Sequence, residues 1–207
     1  MIKKTILGLV LVVSLGFSAN FEDGMNAVKK GDYQTALSIL EDLANKGDVE
    51  AQTYLGYMYN YGNGVQQDYK KAFELFEKAS NQGDAKAQTF LGYMYEYGEG
   101  VEQNYKKAFE LFQKSAKQGE AGGQNELGMF YLEGYGVKQD YKKAFEWLEK
   151  ASNQGYKTAH YQLGFIYFKG YGVKQNYKKA KELFGKACNG GLQDGCDSYK
   201  KLNERGY

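Results

Sequence analysis

One pair of side chains in this chain has the types and spacing of a nucleophile with its base: Ser198 and Lys201. A lysine one helical turn past a serine can accept the hydroxyl proton as the oxygen attacks an acyl carbon. Acyl-transfer enzymes built on that pattern also carry Ser-Asp-Asn and Lys-Thr-Gly elements. Neither occurs here, and Lys157-Thr158 runs on into Ala159. A four-residue match carries little information, so Ser198 and Lys201 stand only as weak catalytic candidates. His160 is the single histidine, which excludes a multi-histidine metal centre and leaves a Ser-His-Asp arrangement one base to draw on. Glutamine holds the equivalent position at Gln52, Gln88 and Gln124, so His160 reads as a polar residue near a helix start. The Gly-x-Gly elements join helix to helix with no preceding strand, unlike a phosphate loop. No metal or other cofactor is expected.

What positions these residues is a repeat. Tyr33, Tyr69, Tyr105, Tyr141 and Tyr177 recur every 36 residues, opening the segments YQTALSIL, YKKAFELF, YKKAFELF, YKKAFEWL and YKKAKELF. Leu55-Gly56, Leu91-Gly92, Leu127-Gly128 and Leu163-Gly164 recur with the same period, each with a tyrosine three residues further on. Self-similarity at such a period marks a solenoid, whose units bury their apolar faces against one another.

Within each period the apolar spacing is helical. Ala72, Phe73, Leu75, Phe76 and Ala79 form one broad stripe, and the helix before it carries Ala51, Leu55, Met58 and Tyr59 in the same way. Gly47, Gly83, Gly119, Gly155 and Gly191 follow the stripes where a helix ends in a left-handed residue. Asp68, Asn104, Asp140 and Asn176 precede the tyrosines as N-caps. The expected fold is all-α, a right-handed α-solenoid of stacked helix–loop–helix repeats, with nothing that reads as a strand. Its bounds are a signal peptide over 1–19, a capping helix pair over 20–47, repeats over 48–83, 84–119, 120–155 and 156–191, and a capping helix over 192–207. Gly56, Gly92, Gly128 and Gly164 lie inside helices at a cost of about 1 kcal/mol each, which implies a close approach there. Ala36, Ala72, Ala108, Ala144 and Ala180 are the expected small partners, with Phe73, Phe109 and Phe145 filling the layer between units.

The first residues are expected to target rather than fold. Lys3 and Lys4 precede an apolar run from Ile6 to Phe17, too short for a stop-transfer helix, with small residues at Ser18 and Ala19 where cleavage is expected. An exported, periplasmic or secreted protein with no stable membrane insertion follows from this reading. Removing the segment takes two lysines and no acid, bringing the formal charge from +2 to about zero. Neutrality argues against nucleic acid, which needs a basic stripe. The paired lysines such as Lys70/Lys71 and Lys178/Lys179 are each followed at helical spacing by an acid, Glu74 to Glu182, and so are expected to be self-compensated. Cys188 and Cys196 are the only cysteines, and in an exported chain are expected to be bonded across a turn between helices.

The blocks AQTYLGYMYNYGNGV and YKKAFELFEKASNQG resemble the Sel-1-like repeat family, relatives of the tetratricopeptide repeats, over residues 32 to 207. The segment ACNGGLQDGC further resembles the disulfide-bearing joint of secreted, cysteine-rich bacterial members described as penicillin-binding proteins or weak β-lactamases. In that group the cysteine pair recurs in every unit. Here the equivalent positions are Ala44/Gln52, Ser80/Gln88, Ala116/Gln124 and Ser152/His160. The resemblance implies a scaffold first, with β-lactam hydrolysis, or binding of a β-lactam or cell-wall fragment, as the alternative.

A binding surface should vary between units while the core stays fixed. Positions 50, 53, 54, 57 and 61 share one helical face, reading Glu50, Thr53, Tyr54, Tyr57 and Tyr61, then Lys86, Thr89, Phe90, Tyr93 and Tyr97. The third unit reads Gly122, Asn125, Glu126, Met129 and Glu133; the fourth reads Thr158, Tyr161, Gln162, Phe165 and Lys169. Tyr54, Tyr57, Phe90, Tyr93, Tyr161 and Phe165 are therefore the expected contacts of a monomeric scaffold that binds a protein or peptide in its concave groove.

Overall fold

A computed structural model describes residues 19–207, which form eleven helices and, among those residues, no strand. The targeting segment expected over 1–19 lies, apart from Ala19, outside the described residues. The helices are α1 (Phe21–Lys29), α2 (Tyr33–Asn45), α3 (Val49–Tyr61), α4 (Tyr69–Asn81), α5 (Ala85–Tyr97), α6 (Tyr105–Lys117), α7 (Ala121–Glu133), α8 (Tyr141–Asn153), α9 (Lys157–Lys169), α10 (Tyr177–Asn189) and α11 (Gln193–Glu204). Each packs on its neighbours in sequence, and α5 also meets α7, as α7 meets α9. That third contact, with the Tyr57–Phe90 ring pair joining α3 to α5, sets α3, α5, α7 and α9 side by side along the inner wall of the stack.

Local chemistry sets the ends. Asp68, Asn104, Asp140 and Asn176 each accept a backbone N–H from the first turn of α4, α6, α8 and α10, as the sequence led us to expect. The inner helices α3, α5, α7 and α9 stop on Gly62, Gly98, Gly134 and Gly170, all left-handed. Gly100 shows why the loop that follows needs a second glycine. Its φ is 70°, and a Cβ there would sit 2.5 Å from the Tyr69 carbonyl oxygen at the start of α4.

The mid-helix glycines mark a close approach, met first by a large side chain and, at Gly128 and Gly164, also by the backbone carbonyls of Ala144 and Ala180. A Cβ at Gly92 would stand 2.6 Å from Cε1 of Phe112, and one at Gly128 would stand 2.6 Å from Cγ of Leu148. The opposing row is thus Phe76, Phe112, Leu148 and Phe184, one turn beyond Ala72, Ala108, Ala144 and Ala180. The crossing of the two helices lays a large side chain over the bare backbone, and the fully buried alanines let the helix backbones come together beside it. Phe73, Phe109 and Phe145 do fill the layer between units, each edge-on to a tyrosine of the next inner helix at 5.4–5.7 Å.

The lysine pairs also depart from expectation. Lys71, Lys107 and Lys143 lie over the rings of Tyr59, Tyr95 and Tyr131, at 4.1, 4.9 and 5.1 Å from the centroids. Of the four, only Lys179 pairs with its glutamate, Glu182, at 3.0 Å. Hydrogen bonds from Lys186 and Lys179 hold that carboxyl down at about 2. A ring from the preceding helix wins over an exposed i,i+3 pairing, which contributes little in water.

Candidate functional site

The inner wall carries a continuous run of rings. Phe21, Tyr54, Tyr57, Phe90, Tyr93 and Tyr97 follow one another with centroid separations of 5.9–6.4 Å, crossing from α1 through α3 to α5. Tyr54, Tyr57, Phe90 and Tyr93 are half-buried. Two of them also pack against the outer helices. Phe90 stacks on Phe76 at 5.0 Å, and Tyr93 meets Phe112 edge-on at 5.4 Å. The same side chains line two adjoining cavities of about 560 and 510 Å³, which share Lys86, Phe90 and Glu120.

Tyr161 and Phe165 belong to a different place. They line a cleft of about 200 Å³ at the far end of the stack, together with Phe168, Phe184, Ser198 and Lys201. The six expected contacts therefore fall on two surfaces, four at one end and two at the other. Ser198 and Lys201 do share this cleft, but no hydrogen bond joins them, and Arg205 adds a second cation.

The larger groove is built over an acidic pair that sequence reasoning did not single out. Tyr93 donates its hydroxyl to Glu126 Oε1 at 2.8 Å, and the Asn125 amide donates to the same oxygen at 2.9 Å. Burial raises the Glu126 carboxyl against these two bonds. Burial, with Glu126 nearby, pushes Glu96 up to about 7, and also raises the Tyr93 hydroxyl. Oε2 of Glu96 is buried without a partner. The sequence signal for Glu126 was its departure from the aromatic residues at the same position, Tyr54 and Phe90; Glu96 stands where Asn60 and Leu132 stand, outside the face compared.

A second polar cluster ties the units together beneath the groove. Glu120 caps α7 by accepting the Gly123 N–H, and it also accepts the Thr89 hydroxyl at 3.0 Å. Ser115 fits here because Gly123 has no side chain: a Cβ would lie 2.4 Å from the Ser115 oxygen. Thr53 and Asp84 repeat the link one unit earlier, at 3.1 Å.

The cysteines behave as expected, Cys188 and Cys196 forming a disulfide. His160 lies at the same joint one unit earlier, its Nδ1 2.7 Å from the Ser152 hydroxyl. Ser152 is buried, and among the described residues no carboxylate bonds the other ring nitrogen, so this pair is a strut. Among the described residues no group of three or more His, Cys, Asp or Glu is placed to hold a metal, and no helix is long and apolar enough to cross a membrane.

Residues 49–84, 85–120, 121–156 and 157–192 each match the Sel1 repeat. The fold is similar to that of a Sel1 repeat protein from Oxalobacter formigenes, 30% identical over 84% of this chain and 70% of that one, with a TM-score of 0.76. A sel1 repeat protein from Klebsiella pneumoniae is 26% identical over 88% of this chain and 91% of its own, with a TM-score of 0.59. Cysteine rich protein B of Helicobacter pylori is 30% identical over 64% of this chain and 96% of its own, with a TM-score of 0.50. No curated protein matches the chain in sequence.

Proposed function

The chain belongs to the Sel1 repeat family, and from that premise we propose that it is an exported scaffold binding a protein or peptide partner in the groove of α3, α5 and α7. One observation carries this reading: over a frame that repeats every unit, the unbroken run of rings from Tyr54 to Tyr97 lines two adjoining cavities. Half-buried tyrosines on a rigid wall lose little freedom on contact, which suits them as anchors. Sel1 repeat scaffolds generally act through protein interactions, and the groove supplies the surface. The disulfide and the likeness to a cysteine-rich bacterial protein support export.

The test pairs two double variants, Tyr57→Ala with Tyr93→Ala and Tyr161→Ala with Phe165→Ala. A partner crosslinked to the wild type in the periplasm is identified and its affinity measured. The first pair is expected to weaken binding at least tenfold with the helical circular dichroism retained, and the second to leave it unchanged. Unchanged affinity in the first pair would remove this groove as the site. Intact mass of periplasmic protein checks export, with processing near Ala19 expected and a full-length mass contradicting it.

A further inference from the structure

Among the described residues, the buried side-chain polar atoms that lack a hydrogen-bond partner are three, and all are acceptors: Asn60 Oδ1, Glu96 Oε2 and Asn125 Oδ1. Such atoms are rare in folded proteins because each forfeits its bond to water. All three stand on the inner wall, on α3, α5 and α7. Asn60 is the telling one. It is 8% exposed, it lines the larger cavity, and its amide oxygen is left over after its backbone carbonyl has accepted the Gln67 side chain at 2.8 Å.

The rest of the cavity matches an acceptor in want of a donor. Glu99 and Glu120 bring carboxylates to its lining against the single cation, Lys86. Tyr93 and Tyr97 stack there at 6.3 Å with an interplanar angle of 16°, presenting ring faces of the kind a cation is drawn to. Behind them the carboxyls of Glu96 and Glu126 stand close enough to act on one another, Glu126 held by the Tyr93 hydroxyl. A donor-only, positively charged group of side-chain length would satisfy the orphan oxygen and offset the surplus acid at once.

We propose that this cavity takes the cationic side chain, arginine or lysine, of an extended partner segment, with Asn60 Oδ1 as acceptor, Tyr93 and Tyr97 as ring contacts, and Glu99 and Glu120 as counter-charge. The assignment rests on the groove reading above and names the chemistry that the groove selects.

The probes are acetyl-Gly-Arg-Gly-amide and its neutral isostere acetyl-Gly-citrulline-Gly-amide, titrated into the whole protein and followed by two-dimensional NMR. The arginine peptide is expected to shift the Asn60 side-chain amide and the amides around Tyr93, and to bind about tenfold tighter than the citrulline peptide. Asn60→Leu and Glu99→Gln should each reduce that preference about fivefold. Glu99 lies in the loop after α5, so its variant keeps the test alive if Asn60→Leu fails to fold. Equal affinity of the two peptides in the groove overturns the cation assignment and leaves the groove reading standing. No perturbation of these residues by either peptide at about 10 mM also overturns the assignment, whereas the groove reading fails only if the Tyr57/Tyr93 variant still holds its partner.

Discussion

The joints between units are built in one way along the first part of the stack and in another at its end. Gln52 donates to the Ala44 carbonyl at 3.0 Å and accepts from Gln82 of the next outer helix at 2.8 Å. Gln118 reaches Gln88, and Gln154 reaches Gln124, at the same 2.8 Å. Each buried glutamine is thus completed by the following unit. At the next joint the reaching residue would be position 190, and it is Gly190, so the ladder has nothing to continue with. There the joint turns inward, to Ser152 with His160 and then to the Cys188–Cys196 bond. The glutamine joints draw on the following unit, while the Ser152–His160 and Cys188–Cys196 joints close within themselves. The groove with its acidic pair lies over the glutamine joints; the small cleft with Lys201 and Arg205 lies by the disulfide.

Breaking the terminal joint should cost most. Cys188→Ala with Cys196→Ala removes the closure of a short loop, a loss of about 2.5 kcal/mol on the loop-entropy account. Because the bond ties α10 to α11, the loss should appear as early opening of those two helices in hydrogen exchange, with α3 to α6 keeping their protection. Loss spread evenly over the stack would contradict the division drawn here. Gln52→Leu is the matching cut in the ladder. It takes one donor from the Ala44 carbonyl, which keeps the Gly47 N–H, and returns the exposed Gln82 amide to water, so it should lower stability by about 1 kcal/mol in denaturant unfolding. A neutral result would mean that the ladder only decorates the joint.

The period made the architecture legible because every unit repeats the same apolar stripe, cap and left-handed glycine. The joint was legible too, since aligning the units set Cys188/Cys196 beside Ser152/His160 and Ala44/Gln52. What the spacing does not contain is the crossing of the helices. It marked Gly92 as a close approach but could not show that Phe112, not Ala108, lies over it. The lysines were misread for the same reason, because their tyrosines sit on another helix. The inner face was found, but Asn60 and Glu96 sit one step outside it, and the spacing did not show that Asn60 lines the groove or that Glu96 stands by Glu126. Nor did the shared face show that Tyr161 and Phe165, on α9, open onto a cleft of their own.

A smaller effect tests the acidic pair. The folded carboxyl of Glu96 sits at about 7, against 4.5 ordinarily, so its contribution to stability is complete below about pH 4.5 and is lost as pH rises through 7. The carboxyl is partly wetted, so the loss is discounted to about 1 kcal/mol between pH 5 and 8. Glu96→Gln should flatten this slope and raise stability at pH 8. An unchanged slope would show that the pair is better solvated than its burial suggests.

The central claim is that partners meet the inner wall of α3 and α5. A photo-crosslinking amino acid placed singly at Tyr57, at Tyr93 and at Lys142 on the outer helix α8 tests it directly in cells. We expect one shared adduct band from positions 57 and 93 and none from 142. Adducts from 142 alone, or equally from all three, would contradict the account.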